Sequence, residues 1–419
     1  DEPLSPGTAT VIPRAPKGTD DLLPPASERW RKLLRVFDDL AVRYGYGLCM
    51  TPCFEVTELF ARGVGEATEI VEKQMYTFED KAGRSLTLRP EATASVVRAY
   101  LQSGASGVLK VAYSGPMFRY EETQAGRRRQ FYQVGVEYLG EESADADVEV
   151  IEIGCRFFEE LGIDDVVVLL NSIGDPEDRA AYRQRLVSFL EARADRLSDD
   201  ARRRMVGNPL RVLDSKADAD VVADAPAPVD HLGKAAAEHF AAVRAGLDRR
   251  GIEYHLVPRL VRGLDYYNRT VFEYESRSYQ AAQASLGAGG RYDPLAETLG
   301  GPPAPAVGFA LGVDRIVLAM PGGDEPPPLD VFVAIVDQAR RADALDLVAT
   351  LRDGGLAADA DLGDRSLKAQ FRLADRRGAR TVAVVGDEWE HGLVTMRAMD
   401  DGEEAQVAIE EVAAWAQNR

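Results

Sequence analysis

An α+β fold with an antiparallel-sheet core, a helical insertion and a separate small α/β domain is what this sequence predicts, and three observations carry the prediction. The runs VAYSGPMFRYE and RRQFYQVGVEYLG alternate in polarity around a polar tip, ETQAGR, and read as one long antiparallel hairpin. Between about 174 and 254 the texture changes to stretches rich in Ala, Arg and Leu at helical spacing, such as DPEDRAAYRQRLVSFLEARADRLSDDARRRM and LGKAAAEHFAAVRAGLDRRG. Beyond the linker-like PGGDEPPPL, the apolar runs DVFVAIVD, RTVAVVGDEW and LVTMRAM alternate with helical stretches, the pattern of a small α/β domain.

The chain has 419 residues, too many for one typical core, so two or three domains are expected. With 45% hydrophobic and 28% charged residues it reads as soluble and globular. No apolar run approaches the roughly 20 residues of a membrane span, and the N-terminal stretch lacks the order of a signal peptide, so a cytoplasmic protein with no membrane partner is expected. Cys49, Cys53 and Cys155 cannot form a fully paired disulfide framework and have no neighbouring His, so a metal site made by the protein alone is not expected. A net charge of −19 argues against coating nucleic acid by bulk electrostatics, although local patches remain available.

In chain order, residues 1–15 read as a flexible leader without periodicity. Residues 16–173 form the first part of the core. Trp30, Leu33, Leu34, Phe37, Leu40 and Ala41 recur at helical spacing behind Ser27, a candidate N-cap. MYTFED and SLTLRP read as two short strands joined by KAGR, and Pro90 leads into the helix EATASVVRAYLQSG. The helical insertion spans 174–254. The second part of the core, 255–322, holds YHLVPRLV, TVFEYES, the glycine-rich SLGAGGRYD and AVGFALGVDRIVLAM. Residues 323–329 are the linker, and 330–419 the last domain.

The stretch from 117 to 137 packs seven charged residues and four aromatics into one hairpin. Gln133 and Glu137 share a strand face, and charged groups on the inner face of a sheet are costly unless they meet something polar or charged. Arg262 and Asp265 stand beside a Tyr pair in LVRGLDYYNRTVFE, while Arg315 lies just inside a helix in GFALGVDRI, where a guanidinium suits a phosphate. In the last domain, RSLKAQFRLADRRGAR holds six basic residues against Asp375, and Arg365, Lys368, Arg372 and Arg376 recur at spacings of three and four, predicting one basic stripe on a helix over 365–377.

Taken together and in this order, these segments resemble the histidyl-tRNA synthetase family of class II aminoacyl-tRNA synthetases, from about Pro16 to the C-terminus. YGLCMTPCFE resembles motif 1, which builds the family's dimer interface; FRYEETQAGRRRQF resembles motif 2, and GFALGVDR motif 3. RGLDYYNRTVFE and GAGGRYD resemble the two histidine-specific signatures, and the last domain is similar to the family's anticodon-binding module. The resemblance implies a class II antiparallel-sheet catalytic core that makes histidyl-adenylate from L-histidine and ATP with Mg²⁺, then transfers histidine to tRNA(His), as a homodimer. It implies Arg262 and Arg119 as catalytic cations on the α-phosphate side. Glu91, Thr93, Gln133, Glu137, Tyr266 and Tyr267 would bind histidine. Arg119, Glu121, Phe131 and Arg315 would bind ATP, with Gln124, Arg127, Arg365, Lys368 and Arg372 toward tRNA. The competing implication is a non-catalytic synthetase-like regulatory subunit of histidine biosynthesis; such proteins typically lack the C-terminal domain and erode the Arg-bearing signatures, and this chain retains both.

Overall fold

A computed structural model describes residues 12–65, 68–207, 209–213, 215, 217–261, 263–277, 285–327 and 329–419. Most of the expected leader therefore lies outside the described residues, as does Arg262. Two compact units divide the chain: one takes in 32–321 with the residues before 22, the other 322–419 with 22–31.

The first unit is built on an eight-stranded sheet. Its spatial order is Gly47–Leu48, Leu109–Phe118, Gln130–Leu139, Ala306–Gly312, Ser285–Arg291, Asn268–Ser276, Val166–Ser172 and Tyr254–Leu256. Only the two edge pairings are parallel; the six strands between them are antiparallel. The expected hairpin is present in full register from Leu109↔Leu139 to Phe118↔Gln130. A three-stranded sheet of Phe54–Val56, Ser85–Leu88 and Tyr76–Glu79 stands apart from it. The first long helix, Ala26–Arg43, buries Leu33, Phe37, Leu40 and Ala41 on one stripe. It starts before Ser27, which lies inside the first turn rather than at the cap.

The insertion contributes the helices Pro176–Glu191 and Asp199–Gly207, the first opened by a capping box between Asp175 and Asp178. Helix Lys234–Arg249 carries the same sequence texture but serves the core. It packs on helix Ala144–Glu160, where Gly246 lies against Val148 and His239 reaches Asp147 at 3.3 Å. The strand Tyr254–Leu256 then pairs with Val166–Ser172. Ala-rich periodicity is common to both groups of helices, and only the partner face separates them.

Beneath the sheet lies a fully buried ion pair. Arg291 Nε donates to Asp147 Oδ2 at 3.1 Å, and Arg291 Nη1 donates to Asp293 Oδ1 and the Glu141 carbonyl, each at 3.0 Å. Burial alone would raise the Asp147 carboxyl; the Arg291 guanidinium and His239 override it and hold the pKa below the usual carboxylate range.

In the second unit the strands Ala358–Ala360, Leu329–Ile335 and Ala379–Val385 are parallel, and Leu393–Ala398 and Glu404–Ala408 continue the sheet antiparallel. Val331, Val333 and Ile335 pack with Leu347, Leu351 and Val412 from the helices Arg341–Asp353 and Val412–Gln417, while Phe332 and Ala334 pack with Ala374 of helix Leu367–Arg376. The central strand thus buries both faces, as parallel strands do. Among the described residues no helix is long and apolar enough to cross a membrane.

Removing one partner of a buried ion pair strands the other. Asp147→Ala should lower unfolding free energy by about 3–5 kcal/mol, read from urea denaturation, because Arg291 would keep a buried charge without its closest counter-ion.

Candidate active site

One cavity in the first unit gathers residues from the start of the helix Thr93–Gln102, the long hairpin, the tyrosine pair, the glycine-rich segment and motif 3. Glu91, Thr93, Arg119, Glu121, Arg127, Phe131, Gln133, Tyr266, Tyr267, Tyr292 and Arg315 all line it. The sheet brings them together: strand Gln130–Leu139 supplies Gln133, its neighbour Ala306–Gly312 leads into the helix bearing Arg315, and the turn before Asn268–Ser276 presents the two tyrosines.

Glu137 does not itself line this cavity but is bonded to two residues that do, Thr93 and Tyr292. It faces Val111 across one strand pair and Gly308 across the other. Any Cβ at position 308 would fall on the Glu137 carboxylate, so the close approach requires glycine. Thr93 Oγ1 donates to Glu137 Oε1 at 2.7 Å, and the Tyr292 hydroxyl donates to Oε2. Glu137 is fully buried, and burial pushes its pKa up to about 8, against the hydroxyl donors that favour the charged form. A carboxyl at the balance point near neutral pH, with its oxygens pre-aimed by two hydroxyls, suits a ligand that brings an N–H donor.

Glu91 sits at the start of helix Thr93–Gln102. Its two oxygens accept from the backbone N–H of Thr93 at 2.7 Å and of Ala94 at 2.9 Å. Burial nevertheless raises its pKa. The Gln133 side-chain oxygen is buried in the cavity wall with no hydrogen-bond partner. Such an orphan acceptor is costly unless a donor arrives with a ligand. Tyr266 and Tyr267 pack with ring centroids 4.7 Å apart, and Tyr266 meets Tyr292 edge-on at 5.7 Å.

Two cations line the same cavity. Arg119 Nε donates to the Pro90 carbonyl at 2.9 Å, and its guanidinium lies over Phe131 at 5.1 Å from the ring centroid. Burial lowers the Arg119 pKa, opposed by the charges of Glu121 and Glu91. Arg315 Nε donates to the Gly126 carbonyl at 3.1 Å and Nη1 to the Ser285 carbonyl at 2.8 Å. Those bonds tie motif 3 to the tip of the hairpin and to the glycine-rich strand. Two fixed guanidiniums facing one cavity can receive a polyanion without reorganising.

The hairpin tip is itself anchored. The backbone N–H groups of Arg129 and Gln130 donate to the Gly18 carbonyl at 2.8 and 3.2 Å, so residues just after the leader brace the hairpin base. At the tip Gln124 is exposed, whereas Arg127 turns to the cavity and stands 3.7 Å from Glu121. Sequence reasoning placed Arg127 toward tRNA and gave no role to Tyr292, although Tyr292 stands in the quoted GAGGRYD segment.

In the second unit the basic stripe is shorter than expected. The helix begins at Leu367 behind Ser366, and Arg365 precedes it, pairing with Asp361. Arg365 is therefore not on the helical stripe; the Asp361 carboxylate holds it in the preceding loop. Lys368, Arg372 and Arg376 remain as an exposed row, because Gln370 and Ala374 turn inward. The buried Gln370 amide pairs with the Ile335 backbone, accepting from its N–H and donating to its carbonyl, each at 2.8 Å, which fixes the helix's rotation.

An antiparallel sheet whose long hairpin carries Arg119 and whose closing strand and helix carry Arg315 is the architecture of the class II aminoacyl-tRNA synthetases. The family model for histidyl-tRNA synthetase matches residues 18–316, and the model for an anticodon binding domain matches 330–419. The histidine–tRNA ligase of Desulforudis audaxviator is 48% identical over 407 residues, covering 95% of this chain and 96% of that protein. The solved apo histidyl-tRNA synthetase of S. aureus superposes with a TM-score of 0.79 at 35% identity, covering 97% of this chain and 100% of that one. A Bacillus halodurans structure described as an ATP phosphoribosyltransferase regulatory subunit/histidyl-tRNA synthetase gives a TM-score of 0.66 at 23% identity, covering 88% and 97%, a likeness of fold alone. The chain belongs to the histidyl-tRNA synthetase family.

The raised pKa of Glu137 has a kinetic signature. If its carboxylate accepts an N–H from the substrate, kcat/KM for histidine should rise as pH increases through about 8, where the free enzyme's Glu137 loses its proton. Glu137→Gln should raise the histidine KM by about tenfold and flatten that limb of the pH profile.

Proposed function

We propose that this protein ligates L-histidine to the 3′ end of tRNA(His) through a histidyl-adenylate, with the cavity residues in the following roles. Glu91, Thr93 and Gln133 hold the α-ammonium, and Glu137 with Tyr267 brackets the imidazole beside Tyr266. Arg119 grips the α-phosphate, Arg315 the γ-phosphate, Glu121 the adenine side, and Phe131 stacks on the base. Arg262, outside the described residues, would be a second cation at the α-phosphate. The histidine carboxylate attacks the α-phosphorus in line; the bond to the bridging oxygen breaks and pyrophosphate leaves. A ribose hydroxyl of the terminal adenosine then attacks the acyl carbon and releases AMP. Positioning and charge stabilisation carry such a step.

The observation that carries this reading is the placement of Arg119 and Arg315 in the same cavity as the unpartnered Gln133 oxygen and as Thr93 and Tyr292, the two hydroxyl partners of the buried Glu137. A site built of polar groups that need partners rejects apolar amino acids. Among the described residues no group of three or more His, Cys, Asp or Glu side chains could hold a metal ion, and both Glu91 oxygens are engaged by backbone donors. In this proposal Mg²⁺ arrives on the triphosphate, as its counter-ion.

The homodimer belongs to the same proposal. Leu48, Met50, Phe54 and Val56 along motif 1, with Phe78 on the adjoining small sheet, are exposed apolar side chains, Met50 to 84% and Leu48 to 69%. Exposed apolar side chains of this kind fit the face of a second copy. A cytoplasmic location and a tRNA contact made by Gln124, Arg127, Arg365, Lys368 and Arg372 complete it.

Histidine-dependent exchange of pyrophosphate into ATP tests the reading against a non-catalytic regulatory subunit, which would show none. Arg315→Ala should raise the ATP KM about tenfold or more while leaving the histidine KM nearly unchanged. Charge reversal of Lys368 and Arg372 together should weaken tRNA binding and flatten its salt dependence, measured by filter binding across a salt series, without slowing tRNA-independent exchange.

A further inference from the structure

The first turn of the insertion grips the backbone of the tyrosine pair. Arg179, in helix Pro176–Glu191, donates from Nη1 to the Tyr267 carbonyl at 2.7 Å and to the Asp265 carbonyl at 3.1 Å. Burial lowers its pKa, with Asp265 acting in the opposite direction. Arg179 is absent from the lining of the cavity that holds Arg119 and Arg315; it lines a neighbouring cavity together with Arg183, Leu210 and Asp265.

The same turn also holds the far end of this segment. Asp175, the residue capping the helix, accepts from Arg269 Nε at 2.7 Å. Arg269 N–H donates to the Gly174 carbonyl and Ile173 N–H to the Arg269 carbonyl, each at 2.8 Å. Arg269 has φ 48°, a left-handed conformation that a side chain other than glycine adopts only when its surroundings hold it there. On the opposite side Asp265 N–H donates to the Val64 carbonyl at 3.2 Å. Residues 265–269 are thus fastened at both ends to the start of the insertion, and Tyr266 and Tyr267 lie between the two fastenings.

The carbonyls of Asp265 and Tyr267 converge on one nitrogen, so their dipoles repel each other unless a cation sits between them. We infer that Arg179 is a positioning residue for histidine selection: by holding these two carbonyls it sets the tyrosine pair against the histidine pocket, and it couples the shape of that pocket to the seating of the insertion's first helix. This rests on the proposed assignment of Tyr266 and Tyr267 to histidine. Arg315 and Arg119 hang on other segments, so the two guanidiniums proposed for the α- and γ-phosphates are not held by this clamp.

The test compares Arg179→Met and Arg179→Lys with the parent in histidine-dependent pyrophosphate exchange, histidine titration calorimetry and thermal melting. The Met variant should show a histidine KM and Kd raised about tenfold, with the ATP KM changed less than about twofold and a melting temperature still above the assay temperature. Lysine, which keeps a cation but not the planar fork, should recover part of the loss. Equal rises in both KM values, an unchanged histidine KM, or a lysine variant no better than methionine would overturn the inference. Should the Met variant melt below the assay temperature, the Lys variant decides alone: a several-fold rise in histidine KM with ATP unchanged supports the clamp, and a parental histidine KM overturns it. A parent that neither binds nor activates histidine would instead overturn the functional reading on which the clamp rests.

Discussion

The carboxylate of Glu137, sunk into the middle of an antiparallel sheet, is the constraint that the rest of the site accommodates. A buried carboxylate is tolerated only with donors close by. Thr93 and Tyr292 supply them from two different segments, and each is held by its own surroundings: Thr93 by the helix that Glu91 caps, Tyr292 by its place next to the Arg291–Asp293 pair. Glycine at 308 leaves the space the carboxylate occupies. A strand, a helix start and a turn are therefore organised around one group whose natural partner is a hydrogen-bond donor on a ligand.

In the proposed reading, selectivity and chemistry share one cavity. The groups proposed for histidine are neutral or negative, buried, and partly without partners; those proposed for phosphate are guanidiniums pinned by backbone carbonyls. The difference is physical. Recognition of a small polar side chain gains from acceptors that are unpaired until the ligand arrives, whereas in-line displacement at phosphorus needs charges already in place when negative charge shifts toward the leaving group. Helix Pro176–Glu191 adds a third contribution, reaching the tyrosine pair through the backbone without entering the cavity.

Much of this was legible in the sequence because it depends on local pattern. Alternation around ETQAGR placed the long hairpin, and the side-chain period of two put Gln133 and Glu137 on one face. The change of texture near 174 announced the insertion, but could not show that helix Lys234–Arg249 packs on the core instead, since its apolar stripe looks the same whichever surface it meets. Periodicity likewise extended the basic stripe back to Arg365, and the pairing of that residue with Asp361 in the preceding loop lies beyond any helical rule.

The sequence by itself determined the elements, the order of the signatures and hence the family, because residue types at fixed spacing survive without reference to anything distant. Only the tertiary structure decided which groups are charged, engaged or waiting. The pKa of Glu137 follows from burial between Val111 and Gly308, the engagement of Glu91 from the helix start beneath it, and the orphaned oxygen of Gln133 from the cavity wall around it. Arg179 is the sharpest case. In sequence it is one arginine among many in a helical stretch, and its two carbonyl partners lie 86 and 88 residues away, so its role exists only once the chain has folded.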